Sequence, residues 1–120
     1  MAIVVYEDLL PGTQLVNRLQ DLKYRVRAIT DVNALESSAR QEKPMVVLAD
    51  VVSSKSDVCG AIARLKSNPE TRHIPVIAFA DDKAEQLQAA ARNAGAALVV
   101  SDAAIVSHLA QFLDQALQID

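Results

Sequence analysis

Cysteine is nearly missing from this sequence: its 120 residues hold one, Cys59. No disulfide can form within the chain, a usage that fits a reducing compartment such as the cytoplasm. Glycine is sparse as well, at three residues, and the first strand-to-helix turn, YEDLLPGTQ, contains only Gly12. A Gly-rich phosphate loop is therefore not available there, which leaves a nucleotide or flavin site with little support. Positive charge is not in excess either. Twelve Lys and Arg stand against 15 Asp and Glu, for a net charge of −3 spread along the chain. That balance argues against nucleic acid and anionic membrane as partners. The opening MAIVVYEDLL has no basic leader, and the apolar runs fall far short of the roughly 18 residues that a membrane span requires. Repeats, low-complexity tracts and linkers are missing too.

What is present is hydrophobic residue, 51% of the chain, enough for one packed core and one domain over residues 1–120. Five apolar runs recur, AIVVY (2–6), YRVRAI (24–29), MVVLA (45–49), PVIAFA (75–80) and AALVV (96–100). The first, third and fourth are continuous and read as central strands. The second alternates with Arg25 and Arg27 and reads as an edge. Segments of helical period lie between them, at about 11–22, 32–42, 56–67, 83–94 and 103–118. Pro11 suits a first turn, Asp31, Asp81 and Asp82 suit N-caps, Gly95 suits a C-terminal stop, and Ser101 or Asp102 can cap the last helix. In that last helix Ile105, Leu109, Phe112 and Ala116 form one stripe, with Val106, Leu113 and Leu117 beside it. Strand and helix alternating five times in so short a chain imply the flavodoxin-like, doubly wound parallel sheet in the order 2-1-3-4-5.

Ligands of such sheets bind beyond the carboxyl ends of the strands. Glu7 and Asp8 follow the first strand, and Asp50 ends the third. Three acids brought to one edge repel unless a cation intervenes, and oxygen ligands of this kind suit Mg²⁺. A metal held there would neutralise a phosphoryl group arriving at one carboxylate.

These pieces, read together, resemble the receiver domain of response regulators over essentially the whole length. The matching segments are IVVYED, VVLAD, LKSNPETRHIPVIAFA with DD after it, and ARNAGAALVV. The resemblance implies that Asp50 stands at the phosphoacceptor position. It also exposes losses. The acidic pair that holds Mg²⁺ falls on Tyr6 and Glu7, with Asp8 just beyond. The hydroxyl residue ending strand four falls on Ala80, the lysine ending strand five on Ser101, the proline after it on Asp102, and the aromatic switch residue on Leu98. After the acceptor, VVSSKSDV replaces the usual Pro and Asp-Gly signature. Lacking that lysine, a new phosphoryl charge of about −1.5 to −2 has no permanent cation in the pocket. Lacking a hydroxyl at position 80, the two-state element is short of a part. Lys55 or Lys83 would have to reach in from a loop.

Plainer readings stand beside these. Asp50 can cap the turn that follows it, and Glu7 and Asp8 can face the N-terminal end of the first helix, where negative charge is favoured. Tyr6 reads as a packed aromatic, His73 and His108 as surface residues, and Cys59 as a small buried or half-buried side chain. No metal-ligand spacing joins the histidines.

The sequence is therefore read as a degenerate receiver, a non-enzymatic signalling module of a bacterial two-component system, in which phosphorylation at Asp50 is weak or absent. It requires no cofactor, although Mg²⁺ on Glu7, Asp8 and Asp50 goes with the alternative of a phosphorylation-competent receiver. A second alternative is a small flavodoxin-like enzyme or cofactor carrier. Expected partners are a histidine kinase or an output protein, or a second copy in a homodimer. The contact face would include Gln86, Arg92, His108 and Gln111. The chain is read as a stand-alone regulator or as a piece of a longer one, such as a hybrid kinase.

Overall fold

The continuous apolar runs at 2–6, 45–49 and 75–80 form the interior of one sheet, because a strand with no polar face is satisfied only when helices cover it on either side. The computed structural model describes residues 2–6, 9–29, 31–51, 58–81 and 83–117, with the side chains of 9–12 and 32 left aside. Its strands are β1 (Ala2–Val5), β2 (Val26–Ile29), β3 (Val46–Asp50), β4 (Val76–Ala80) and β5 (Leu98–Ser101). All are parallel, in the order β2-β1-β3-β4-β5. This is the flavodoxin-like arrangement. The continuous runs β1, β3 and β4 are interior and fully buried, and the Arg-bearing β2 is an edge, with Arg27 and Ala28 open to water.

The helices are α1 (Leu9–Asp21), α2 (Leu35–Glu42) after a single 3-10 turn (Val32–Ala34), α3 (Val58–Ser67), α4 (Glu85–Ala94), α5 (Asp102–Ser107) and α6 (Leu109–Leu117). Strand alternation sorts the core into two layers. Ile3, Val5, Val47, Ala49, Ala78 and Ala80 meet Leu35, Ala61, Ile62 and Leu65 from α2 and α3 on one face. On the other, Val4, Leu48, Ile77 and Phe79 meet Leu15 and Leu19 of α1 and Ile105, Leu109 and Leu113 of α5 and α6. No helix among the described residues is long and apolar enough to cross a membrane.

Several boundaries differ from the sequence expectation. The final helix is two segments, because His108 leaves helical geometry at φ −122°. The hydrogen bonds across it, His108 N–H to the Ala104 carbonyl and Phe112 N–H to the His108 carbonyl, keep the α spacing, so the break is confined to one residue. The resulting stripe buries Leu113 and leaves Phe112 half-buried, with Phe112 edge-on to His108. Asp31 and Asp81 each accept a backbone N–H two residues on, from Asn33 at 3.0 Å and Lys83 at 2.9 Å. They close the turns before α2 and α4 rather than capping those helices, whose N-cap residues are Ala34 and Ala84. Asp82 lies outside the described residues. Gly95 is the stop of α4, at φ +113°.

Candidate functional site

The register brings the residues of interest to one edge. Val5 pairs with Ala49, Asp50 with Phe79, and Ala80 with Ser101. Tyr6, Asp50, Ala80 and Ser101 therefore end their strands side by side at the carboxyl edge, where this fold places ligands. Alternation sends Asp50 and Tyr6 to the face covered by α1, α5 and α6, and sends Ala80 to the opposite face. Asp50 is 6% exposed, one of two buried polar side chains in the described core. Tyr6 is half-buried against the α1 and α5 layer. It is the packed aromatic that the sequence suggests, standing where the resemblance would have an acid.

Beside Asp50 the strand ends supply little positive charge. Ala80 is fully buried and has no hydroxyl. Ser101, where the resemblance would have a lysine, uses its hydroxyl to accept the Ala104 N–H at 3.1 Å and so caps α5. That choice between Ser101 and Asp102 was open in the sequence, and the geometry resolves it for Ser101. Asp81, Ser101, Asp102 and Ala103 line a shallow depression at this edge, whose charged groups are carboxylates. Leu98 is half-buried in the α1 and α5 layer. Lys83 is exposed and, among the described residues, makes no ion pair. Glu7, Asp8 and Lys55 lie outside the described residues, so of the three acids proposed for Mg²⁺ only Asp50 can be located. Among the described residues no group of three His, Cys, Asp or Glu side chains is gathered as for a metal.

The proposed contact face is open: Gln86, Arg92, His108 and Gln111 are all exposed, as is His73. Cys59 is half-buried on α3. Two residues that sequence reasoning passed over lie at the other end of the molecule, in the segment that carries the family resemblance best. Thr71, fully buried, donates its hydroxyl to the Leu65 carbonyl at 2.7 Å. Lys66 donates to the carbonyls of Ile74 at 2.7 Å and Arg72 at 3.3 Å, and burial holds its amine below its ordinary pKa. The signal for Thr71 was its place in PETRHIP between a helix end and a strand start, where carbonyls need donors.

No family model matches this chain. No curated protein matches it either. Solved structures do. The receiver domain of NtrX from Brucella abortus superposes with a TM-score of 0.86 at 16% identity, covering 100% of both chains. The BeF3-activated receiver domain of Klebsiella pneumoniae RstA gives 0.83 at 18% identity, covering 98% of this chain and 97% of that one. The beryllofluoride-activated NtrC4 receiver domain dimer gives 0.82 at 17%, covering 98% and 96%. The chain has the receiver-domain fold of response regulators.

Proposed function

We propose that this chain is a receiver-like signalling module of a two-component system that works through protein contacts, without catalytic activity of its own and with phosphorylation at Asp50 weak or absent. The observation that carries the reading is the state of Ser101. The position that would neutralise a phosphoryl group is occupied by a hydroxyl already engaged in capping α5, in a depression lined by Asp81 and Asp102. A phosphoryl group there adds negative charge to negative charge, with no hydroxyl at Ala80 to follow it.

The test is direct. Protein incubated with a small-molecule phosphodonor and Mg²⁺ should show little or no added phosphoryl mass on intact mass measurement. Substantial labelling that vanishes in Asp50→Asn would overturn the reading. It would support the second one, a competent receiver with Mg²⁺ on Glu7, Asp8 and Asp50, which the buried position of Asp50 at the end of β3 favours.

The contact face would be the exposed side of α4, β5 and the last two helices, with Gln86, Arg92, His108 and Gln111. Every residue of β5 is only half-buried although three of its four are apolar, which suits a surface that a partner covers. The NtrC4 receiver domain forms a dimer, and a histidine kinase, an output protein or a second copy would occupy the same face here. Arg92→Glu should lower partner or self-binding measured by titration calorimetry with the fold unchanged by circular dichroism.

A further inference from the structure

Charge is sorted along the strand direction in this molecule. Each crossover helix runs back against the strands, so the helix N-termini gather at the carboxyl edge of the sheet and the C-termini at the amino edge. The first turns of α4 and α5 hold Glu85 and Asp102, and the last turns of α1, α2, α3 and α4 hold Arg18, Arg40, Arg64 with Lys66, and Arg92, outnumbering Asp21 and Glu42 there; Glu36 of α2 lies beside Arg64 in a hollow with Ser67 and Asn68. Helix dipoles account for this much of the pattern. The amino edge goes further. Lys23, Arg25, Lys43, Arg72 and His73 are exposed in the loops beyond the helix ends. Within that edge, Arg40, Lys43, Pro69, Glu70 and His73 surround one groove. Among the described residues, neither Arg40 nor Lys43 has an ion-pair partner, whereas the nearby Glu42 pairs with Arg27 at 3.2 Å.

The exposed apolar residues follow the same axis. Among the described residues, Met45, 51% exposed, and Leu87, 37% exposed, are the large hydrophobic side chains left open. Met45 sits at the start of β3, and the register sets it level with Arg25 on the amino edge. Leu87 lies in the first turn of α4 at the carboxyl edge, in a hollow with Lys83, Ala84, Glu85 and Gln86. Among the described residues each end of the molecule therefore offers one open large apolar side chain, Met45 on the basic amino edge and Leu87 beside Glu85 and Lys83, with Asp81 in the turn before α4.

We propose that the basic amino edge, Met45 with Arg40, Lys43 and His73, docks on the acidic carboxyl edge of a second copy, Leu87 with Asp81 and Glu85, in a head-to-tail contact. Both complementary surfaces lie on the same molecule, so the occupant is a second copy. The contact goes beyond the signalling reading and stands whether or not Asp50 accepts a phosphoryl group. A copy docked there would cover the strand end that carries Asp50. A heterologous contact of this kind does not close on itself, so assembly would proceed by addition of copies.

Sedimentation velocity of the intact chain tests it. The weight-average mass should rise with concentration at about 0.01 M salt, where the screening length is about 30 Å, and fall to that of the monomer near 1 M, where it is about 3 Å. Arg40→Glu with Lys43→Glu, and separately Asp81→Asn with Glu85→Lys, should each abolish the rise while keeping the wild-type circular dichroism. Asn at position 81 retains the turn-closing acceptor. Mixed in equal amounts, the two variants should associate again, because the unaltered carboxyl edge of the first meets the unaltered amino edge of the second. Met45→Glu, a change at an exposed site that the fold does not need, should weaken self-association about tenfold. A monomer at every concentration and salt, association that neither pair of substitutions alters, or a mixture of folded variants that stays monomeric would each overturn the proposal.

Discussion

The two ends of the sheet differ in what their polar groups do. At the amino edge, the connection from α3 to β4 uses its side chains to close backbone bonds: Thr71 on the Leu65 carbonyl, Lys66 on the carbonyls of Ile74 and Arg72, and Asn68 on the Glu70 N–H at 2.9 Å. At the carboxyl edge, Asp50, Ala80 and Ser101 end their strands, where Ser101 caps α5 and Ala80 packs into the core. A buried carbonyl without a donor is destabilising, so the amino-edge side chains are tied to the backbone they satisfy. Under the proposed function the carboxyl edge has no chemical obligation, and its residues are free to serve stability.

Substitutions at both ends can break or sharpen that contrast. The largest effect expected is on chemistry. Ser101→Lys returns a cation to the carboxyl edge and should raise labelling by a phosphodonor about tenfold or more, measured by intact mass, while losing the cap on α5. At the amino edge, Thr71→Val removes the donor but keeps the shape, leaving the Leu65 carbonyl buried and unpaired. It should cost about 1–3 kcal/mol in urea denaturation. Gly95→Ala forces a side chain into left-handed backbone and sets its Cβ 2.7 Å from Lys66 Cγ. A loss of about 1–2 kcal/mol is expected. Ser101→Ala should cost about 1 kcal/mol through the lost cap and leave labelling where it was. A larger effect on labelling than on stability would reverse the assignment of Ser101. The smallest change should come from Arg27→Ala at the exposed pair with Glu42, under about 1 kcal/mol.

Lys66 adds a pH dependence with a definite sign. Burial lowers its amine below the ordinary value, so the unfolded chain binds the proton more tightly than the folded one. Its charged form therefore opposes folding, and that penalty is relieved as pH rises from the lowered folded value towards the ordinary one. Lys66→Met should remove this alkaline gain from a plot of unfolding free energy against pH. A gain that persists in the variant would assign it to another group.

Much of the fold was legible because it rests on local hydrophobic pattern. The continuous apolar stretches that became β3 and β4 have no polar face to show to water and must be interior, whereas Arg25 and Arg27 can live only on an edge. The helix starts were read less well. An aspartate before a helix looks the same in sequence whether it caps the helix or closes the turn in front of it, and Asp31 and Asp81 took the second role. The break at His108 left no trace in the pattern, since no proline or glycine marks it and the hydrogen bonds continue across it.

The sequence alone determined the sheet order and brought Asp50 to the carboxyl edge, because strand burial and right-handed crossover leave few other ways to wind five such units. It also put Ala80 and Ser101, and no lysine, at the neighbouring strand ends. Only the tertiary structure decided what the residues there do: that Ser101 caps α5, that Tyr6 lies against the α1 and α5 layer, and that Asp81 and Asp102 share the depression beside Ser101. It alone placed Met45 and Leu87 at opposite ends of one axis of sorted charge. These outcomes depend on which residues from distant strands become neighbours, and register is a property of the paired sheet rather than of any one strand.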